Sequence, residues 1–279
     1  MLALAIAIIG TSSFSLIIRH TQRLRHDQFA IMAINYLAAS AMGFAVAGSH
    51  LHPSPPTVGI AIFGGIFFVV AYVVLIHSMD LQGVAIANAM ARLSVLIPVL
   101  ASIIIWHERP QLFEVLGGVL ALTAMPLLSL DSNSKGGRLT RQQVPLLFAL
   151  FVSNGLCVLS SKWFHTTGLE AERPLYFALL FLVAGLVALG CWLIWSRRCG
   201  WPELVWGMLL GVINLVTGLA VIRALDTLSG SVVFPVFAAV SLSLTAGAAA
   251  WLWKEVPGHR GRWGIAVATA AVVLINVHL

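Results

Sequence analysis

The sequence predicts an all-α polytopic membrane protein with ten transmembrane helices arranged as two inverted five-helix repeats. Three observations carry that expectation. The 279 residues are 59% hydrophobic and only 9% charged, with a mean hydropathy of +0.97, whereas soluble domains carry about 25% charged residues. Apolar runs of about 20 residues follow one another along the chain, the length a helix needs to cross ~30 Å of hydrocarbon with its backbone polar groups satisfied internally. The second half of the sequence also matches the first at a fixed offset.

Polar, Pro-rich and basic punctuation places the helices near 2–18, 28–48, 57–77, 84–105, 112–130, 144–162, 174–195, 203–222, 229–252 and 262–278. The opening MLALAIAIIG lacks the basic flank of a signal peptide and is read as the first span. The Pro-rich SHLHPSPP separates the second and third spans, and WHERP follows the fourth. After the fifth comes DSNSKGGRLTRQQ (131–143), whose Ser, Gly and basic content marks a hydrated connector. It divides a first repeat, 1–130, from a second, 144–279. Shifting the numbering by 147 superposes WHERP (106–110) on WKEVP (253–257), Gly83 on Gly230 and Gly117 on Gly264. Copies with an odd number of spans must enter the membrane in opposite senses, the inverted-topology plan of many secondary transporters.

Most of the nine tryptophans, among them Trp106, Trp163, Trp195, Trp201, Trp251, Trp253 and Trp263, fall at span ends, where an amphipathic ring suits the headgroup region. Short-loop Lys and Arg divide eleven to four between the two sides, which on the positive-inside rule puts both termini outside the cytoplasm. The net charge of +6 is therefore orientation charge, and no clustered basic face suggests nucleic acid. Cys157, Cys191 and Cys199 are scattered and suggest neither disulfides nor a metal. His107 beside Glu108 lacks the second histidine of a zinc helix, and His50 and His52 merely flank a leucine in the Pro-rich loop. No cofactor or metal is predicted.

Arg92 is the sharpest candidate. It lies eight residues inside the fourth predicted span, ~12 Å from its nearer end at the helical rise. A central arginine costs roughly 2.5–3.5 kcal/mol on the insertion scale and marks function by default. All ten acidic residues fall in loops or near span ends, Glu108 and Glu255 at matching places in the repeat as interfacial charge pairs. Arg92 therefore either faces a hydrated cavity and meets an anionic group of a solute, or ties helices together through backbone carbonyls. Asn88 shares its helical face, one turn before it. Pro98 and Pro235 interrupt the fourth and ninth spans and are read as hinges or as packing kinks; interrupted helices in corresponding parts of two repeats point to a midplane site, although the offset of 147 puts Pro98 on Thr245 and not on Pro235. Ser241 and Thr245 share one face of the ninth span, and Asn214 and Thr217 one face of the eighth. Asn154, Asn35, Tyr36, Ser12, Ser13 and Ser153 are further polar groups within spans, lining a cavity or bridging helices. His77, near the end of the third span, is a candidate proton relay or an interfacial hydrogen-bonder. The pairs Gly207/Gly211 and Gly261/Gly264 are close-packing sites.

The five-plus-five plan, WHERP followed by Gly117 and WKEVP followed by Gly264, resembles the drug/metabolite transporter superfamily with its two EamA-type halves. NYLAAS (35–40) and ARLSVLIPV (91–99) resemble a bacterial subgroup with a basic residue before Ser and Ile-Pro in the fourth helix, here Arg92. The resemblance implies alternating access around a cavity built by the third, fourth, eighth and ninth helices, helped by the first and sixth. Members carry amino acids, purines, quaternary cations, sugar nucleotides or phosphates, and many have cytoplasmic termini, against the charge count here. The expectation is a transporter of a small-molecule solute in the lipid bilayer of the cytoplasmic (inner) membrane, a monomer or homodimer, exporting polar or anionic metabolites. The alternatives are an intramembrane enzyme on lipid-linked substrates, which lacks clustered catalytic groups at one depth, and a channel or passive facilitator, for which one arginine is a poor filter. No GxxxxGK[ST] motif is present, so uphill transport would draw on a gradient or on exchange.

Overall fold

The computed structural model describes residues 2–48, 52–94, 96–107, 112–129, 143–167, 169–225, 230–254 and 257–275. The connector 131–142, Glu108, Arg109 and Glu255 lie outside the described residues. Every regular element among those described is helical: α1 (Leu2–Arg23), α2 (Gln28–Ala47), α3 (Pro55–Gln82), α4 (Val84–Leu93), α5 (Leu96–Ile105), α6 (Leu112–Ser129), α7 (Gln143–Thr166), a 3₁₀ turn (Glu170–Glu172), α8 (Arg173–Trp195), α9 (Trp201–Leu225), α10 (Gly230–Trp253) and α11 (His259–Ile275). Seven stretches are long and apolar enough to cross a membrane: α1, α2, α3, α4 with α5, Val144–Phe164, α8 and Trp201–Gly218. Large apolar side chains such as Ile104, Phe148, Leu186 and Ile194 are exposed, as a lipid-facing surface requires. This is a multi-pass membrane protein.

Local chemistry explains where the helices begin and end. Asp27 caps α2, its carboxylate accepting from the backbone N–H of Phe29 and Ala30 at 3.0 Å each, the pattern expected of an Asp at this position. Pro55 starts α3, where a missing N–H is harmless. Gly83 ends it with φ +85°, a value that favours glycine.

Two differences from the sequence expectation matter. The first helix runs to Arg23 rather than 18, so Arg19, counted there among loop charges, is a buried helical residue. Its Nη1 lies 2.8 Å from Asp80 Oδ1. The fourth predicted span is two helices, broken after Leu93. Pro98 has no N–H, and its ring opposes the carbonyl four residues earlier, that of Ser94. The break falls at that residue.

The packing scheme is reciprocal between the halves. α2 lies on α8 and α6 on α11; α3 packs on α7 as α9 packs on α1, and α3 on α8 as α9 on α2. α2 and α8 are antiparallel. At the start of α2, Ser196 Oγ, just past the end of α8, donates to Asp27 Oδ2. Beyond the end of α2, Ser54 donates through N and Oγ to Glu172 Oε2, just before α8, at 3.0 Å each. Glycines of α9 permit its close approach to α2: a Cβ on Gly207 would come 2.6 Å from Ile34 Cβ, and one on Gly211 would come 2.8 Å from Ala38 Cβ. His107 and Lys254, which the repeat offset superposes, share a left-handed backbone with φ +54°.

Candidate functional site

The middle of the helix bundle holds two adjoining chambers. A polar one of about 230 Å³ is lined by Thr11 and Ser15 of α1, Asn88 and Arg92 of α4, Asn154 of α7, and Asn214 and Thr217 of α9. An aromatic one of about 260 Å³ is lined by Tyr36 of α2, Phe68 and Tyr72 of α3, and Cys157 and Ser161 of α7. Phe14, Leu75, Asn154 and Asn214 line both, so the two spaces adjoin.

Arg92 owes its place to the break. It is the penultimate residue of α4, where the free carbonyls of a helix C-terminus favour a cation. One of those carbonyls, that of Ala91, has side-chain partners: Ser94 Oγ donates to it at 2.6 Å, and Asn154 Nδ2 donates to it at 2.8 Å and to Ser94 Oγ at 2.6 Å. The guanidinium lies over the Phe237 ring, 5.1 Å from its centroid, a cation–π contact. Among the described residues it has no acidic partner, and no acidic side chain lines either chamber.

The surrounding polar groups bond in pairs. Ser15 Oγ donates to Asn88 Oδ1 at 2.8 Å, while Asn88 Nδ2 donates to Val84 O at 2.9 Å. Asn214 Nδ2 donates to Asn35 Oδ1 at 2.9 Å. Three buried polar atoms around the chambers, Asn35 Nδ2, Tyr72 OH and Thr217 Oγ1, have no hydrogen-bond partner. Unmet capacity of this kind costs free energy and is scarce in native proteins. In the aromatic chamber Tyr36 donates to the Phe68 carbonyl at 3.2 Å and stacks on Phe181, 6.0 Å between centroids.

Of the residues singled out in the sequence, Arg92, Asn88, Asn154, Asn214 and Thr217 come together here. Ser12, Ser241 and Thr245 do not line the chambers. Ser12 Oγ and Thr245 Oγ1 both donate to the Ser241 carbonyl, at 3.2 and 2.7 Å, tying α1 to α10. His77 is exposed and outside the chamber lining, its Nδ1 donating to the Val73 carbonyl of its own helix at 2.7 Å. Pro98 is buried at the α4–α5 break. α10 runs unbroken past Pro235, whose side chain lies outside the described residues.

Sequence reading passed over Thr11, Ser15 and Tyr72. Thr11, Ser15 and Arg19 recur at i, i+4, i+8 on α1, a polar stripe that was legible. Tyr72 carries no such signal.

Residues 1–130 match the EamA-like transporter family. The chain belongs to the drug/metabolite transporter superfamily. The match covers 130 of the 279 residues, and the family is one of transporters rather than enzymes. Twenty solved chains resemble it in structure. One, known from a protein crystal structure, superposes with a TM-score of 0.62 over 98% of this chain and 94% of its own at 18% identity, a likeness of fold alone. No curated protein matches it.

Proposed function

We propose that this EamA-type protein is a secondary transporter, exporting small polar or anionic metabolites across the cytoplasmic membrane by alternating access. The observation that carries the reading is Arg92: a guanidinium at a helix break, facing a polar chamber, without an acidic partner among the described residues. A fixed charge at that depth is stabilised by an anionic solute where the protein supplies no anion. Each chamber is smaller than the roughly 300–1,000 Å³ of drug-sized pockets, which favours metabolites over bulky drugs.

Alternating access is supported by the helix arrangement. Antiparallel α2 and α8, together with helix contacts that exchange when the halves are swapped, are what two five-helix repeats inserted in opposite senses produce. The cavity draws on both halves, so rocking one against the other opens it to either side. The broken α4–α5 segment supplies Arg92 in the manner of discontinuous transporter helices.

The test is flux of radiolabelled polar and anionic metabolites, amino acids among them, in liposomes containing the purified protein. Saturable uptake that Arg92→Ala abolishes, with folding retained, is the expected result. Flux unchanged by that substitution rejects the assigned site, and unitary currents in a planar bilayer would replace the carrier by a channel.

A further inference from the structure

We infer that the paired chambers select an aromatic monocarboxylate, with its carboxylate at Arg92 and its ring among Tyr36, Phe68 and Tyr72. This rests on the transporter reading above and narrows it to a substrate class. The two spaces share Phe14, Leu75, Asn154 and Asn214 as lining, so one solute of modest length occupies both.

The chemistry of the two spaces differs sharply. Arg92 supplies the only charge among the described side chains lining either space, and it pairs with one carboxylate through a planar fork of donors. With no acidic side chain in the lining, a cationic group on the solute finds no counter-charge, so an amine is disfavoured relative to a carboxylate. The second space is walled by rings already arranged edge-to-face: Tyr36 meets Phe68 at 83° and Tyr72 at 73°, with centroids 6.3 and 6.2 Å apart. A planar body extends that cluster through offset or edge contacts, whereas a small dianion leaves the apolar space unfilled and brings a second charge with no partner. Asn154 and Asn214 stand at the junction and offer amide groups to the atoms linking ring to carboxylate.

The experiment measures ligand-induced shifts in melting temperature of the purified full chain in detergent, read by tryptophan fluorescence, across concentration series of four probes: phenylacetate, acetate, succinate and phenethylamine. Phenylacetate is expected to stabilise the protein at concentrations about tenfold or more below the other three. Arg92→Gln is expected to remove the phenylacetate response. Ala71→Leu, which places bulk in the aromatic space, is expected to weaken phenylacetate while leaving acetate unchanged; its own melting curve verifies that it folds. Equal or tighter response to acetate, succinate or phenethylamine, or no response to phenylacetate, overturns the inference. If in parallel liposomes succinate flux still depends on Arg92, only the substrate class falls. If no flux depends on Arg92, the transporter reading falls with it.

Discussion

On the proposed function, Arg92 trades stability for solute binding. A guanidinium near mid-membrane costs roughly 2.5–3.5 kcal/mol on the insertion scale, and its return comes only when a solute is present. Arg92→Leu is therefore expected to raise the solute-free melting temperature, by a free energy of up to about 2–3 kcal/mol, while eliminating flux; a lower melting temperature would show that the arginine acts as structural glue. Glycine acts in the opposite direction. Gly211 lets α9 meet α2 where a Cβ would stand 2.9 Å from the Asn35 carbonyl, so Gly211→Val is expected to destabilise by about 1–3 kcal/mol through overpacking, measured by thermal unfolding in detergent. Glu172 gives the pH signature. Hydrogen bonds from Thr57 and Ser54 hold its carboxyl below its ordinary value of 4.5, so the tie it makes to the start of α3 is present above that value and lost as pH falls through the lowered one. The melting difference between wild type and Glu172→Gln should be present at neutral pH and vanish in acid; a difference independent of pH would mean the carboxylate charge is irrelevant.

Among the elements, the fourth span decides most. Its apolar run predicts one continuous helix, and Pro98 is visible in it, but whether a proline kinks, breaks or merely strains a helix depends on what satisfies the freed carbonyls. Here the Ile97 N–H takes the Ser94 carbonyl at 3.0 Å, and Asn154, on a helix about 60 residues further along the chain, donates to the neighbouring Ala91 carbonyl and to Ser94 Oγ, which no local pattern announces. Pro98→Ala restores the missing donor and is expected to raise thermal stability while slowing flux several-fold; faster flux would contradict a hinge role. α10 shows the converse, since Pro235 lies near its start and leaves the helix whole. α1 was legible in its hydrophobicity but ended too early in the sequence reading, because Arg19 counts as a terminus unless its partner is known. Asp80, on α3, supplies that partner. A double-mutant cycle on Arg19 and Asp80 should return a coupling of no more than about 1 kcal/mol, given that the Asp80 side chain is 60% exposed.

For the molecule as a whole, opposed insertion of the halves predicts which loops share a side. The turn after α1, the loop between α8 and α9, and the turn after α10 meet at one end: His26 Nδ1 lies 3.1 Å from Glu203 Oε1, and Arg23 sits 5.7 Å from the Trp253 ring centroid. Arg25, Arg197, Arg198 and Lys254 gather there, so on the positive-inside rule this end is expected to face the cytoplasm. Cys199, exposed in the α8–α9 loop, should react with a membrane-impermeant maleimide only in inside-out vesicles, and Ser54→Cys only in right-side-out ones. Labelling of both from one side would refute opposed insertion.

Composition and run length by themselves determined a helical membrane protein, because a bilayer accepts few other backbones. The sequence also nominated Arg92, since an unpaired charge within an apolar run stands out in one dimension. Tertiary structure alone decided which polar residues share its chamber. Ser12 and Thr245 were as eligible as Thr217, and the side of a helix that faces a cavity depends on rotation against neighbours distant in sequence. The aromatic chamber was largely hidden for the same reason: Tyr36 stood out as a polar group within a span, but Phe68 and Tyr72 are ordinary residues of an apolar run until α2 and α3 both pack on α8.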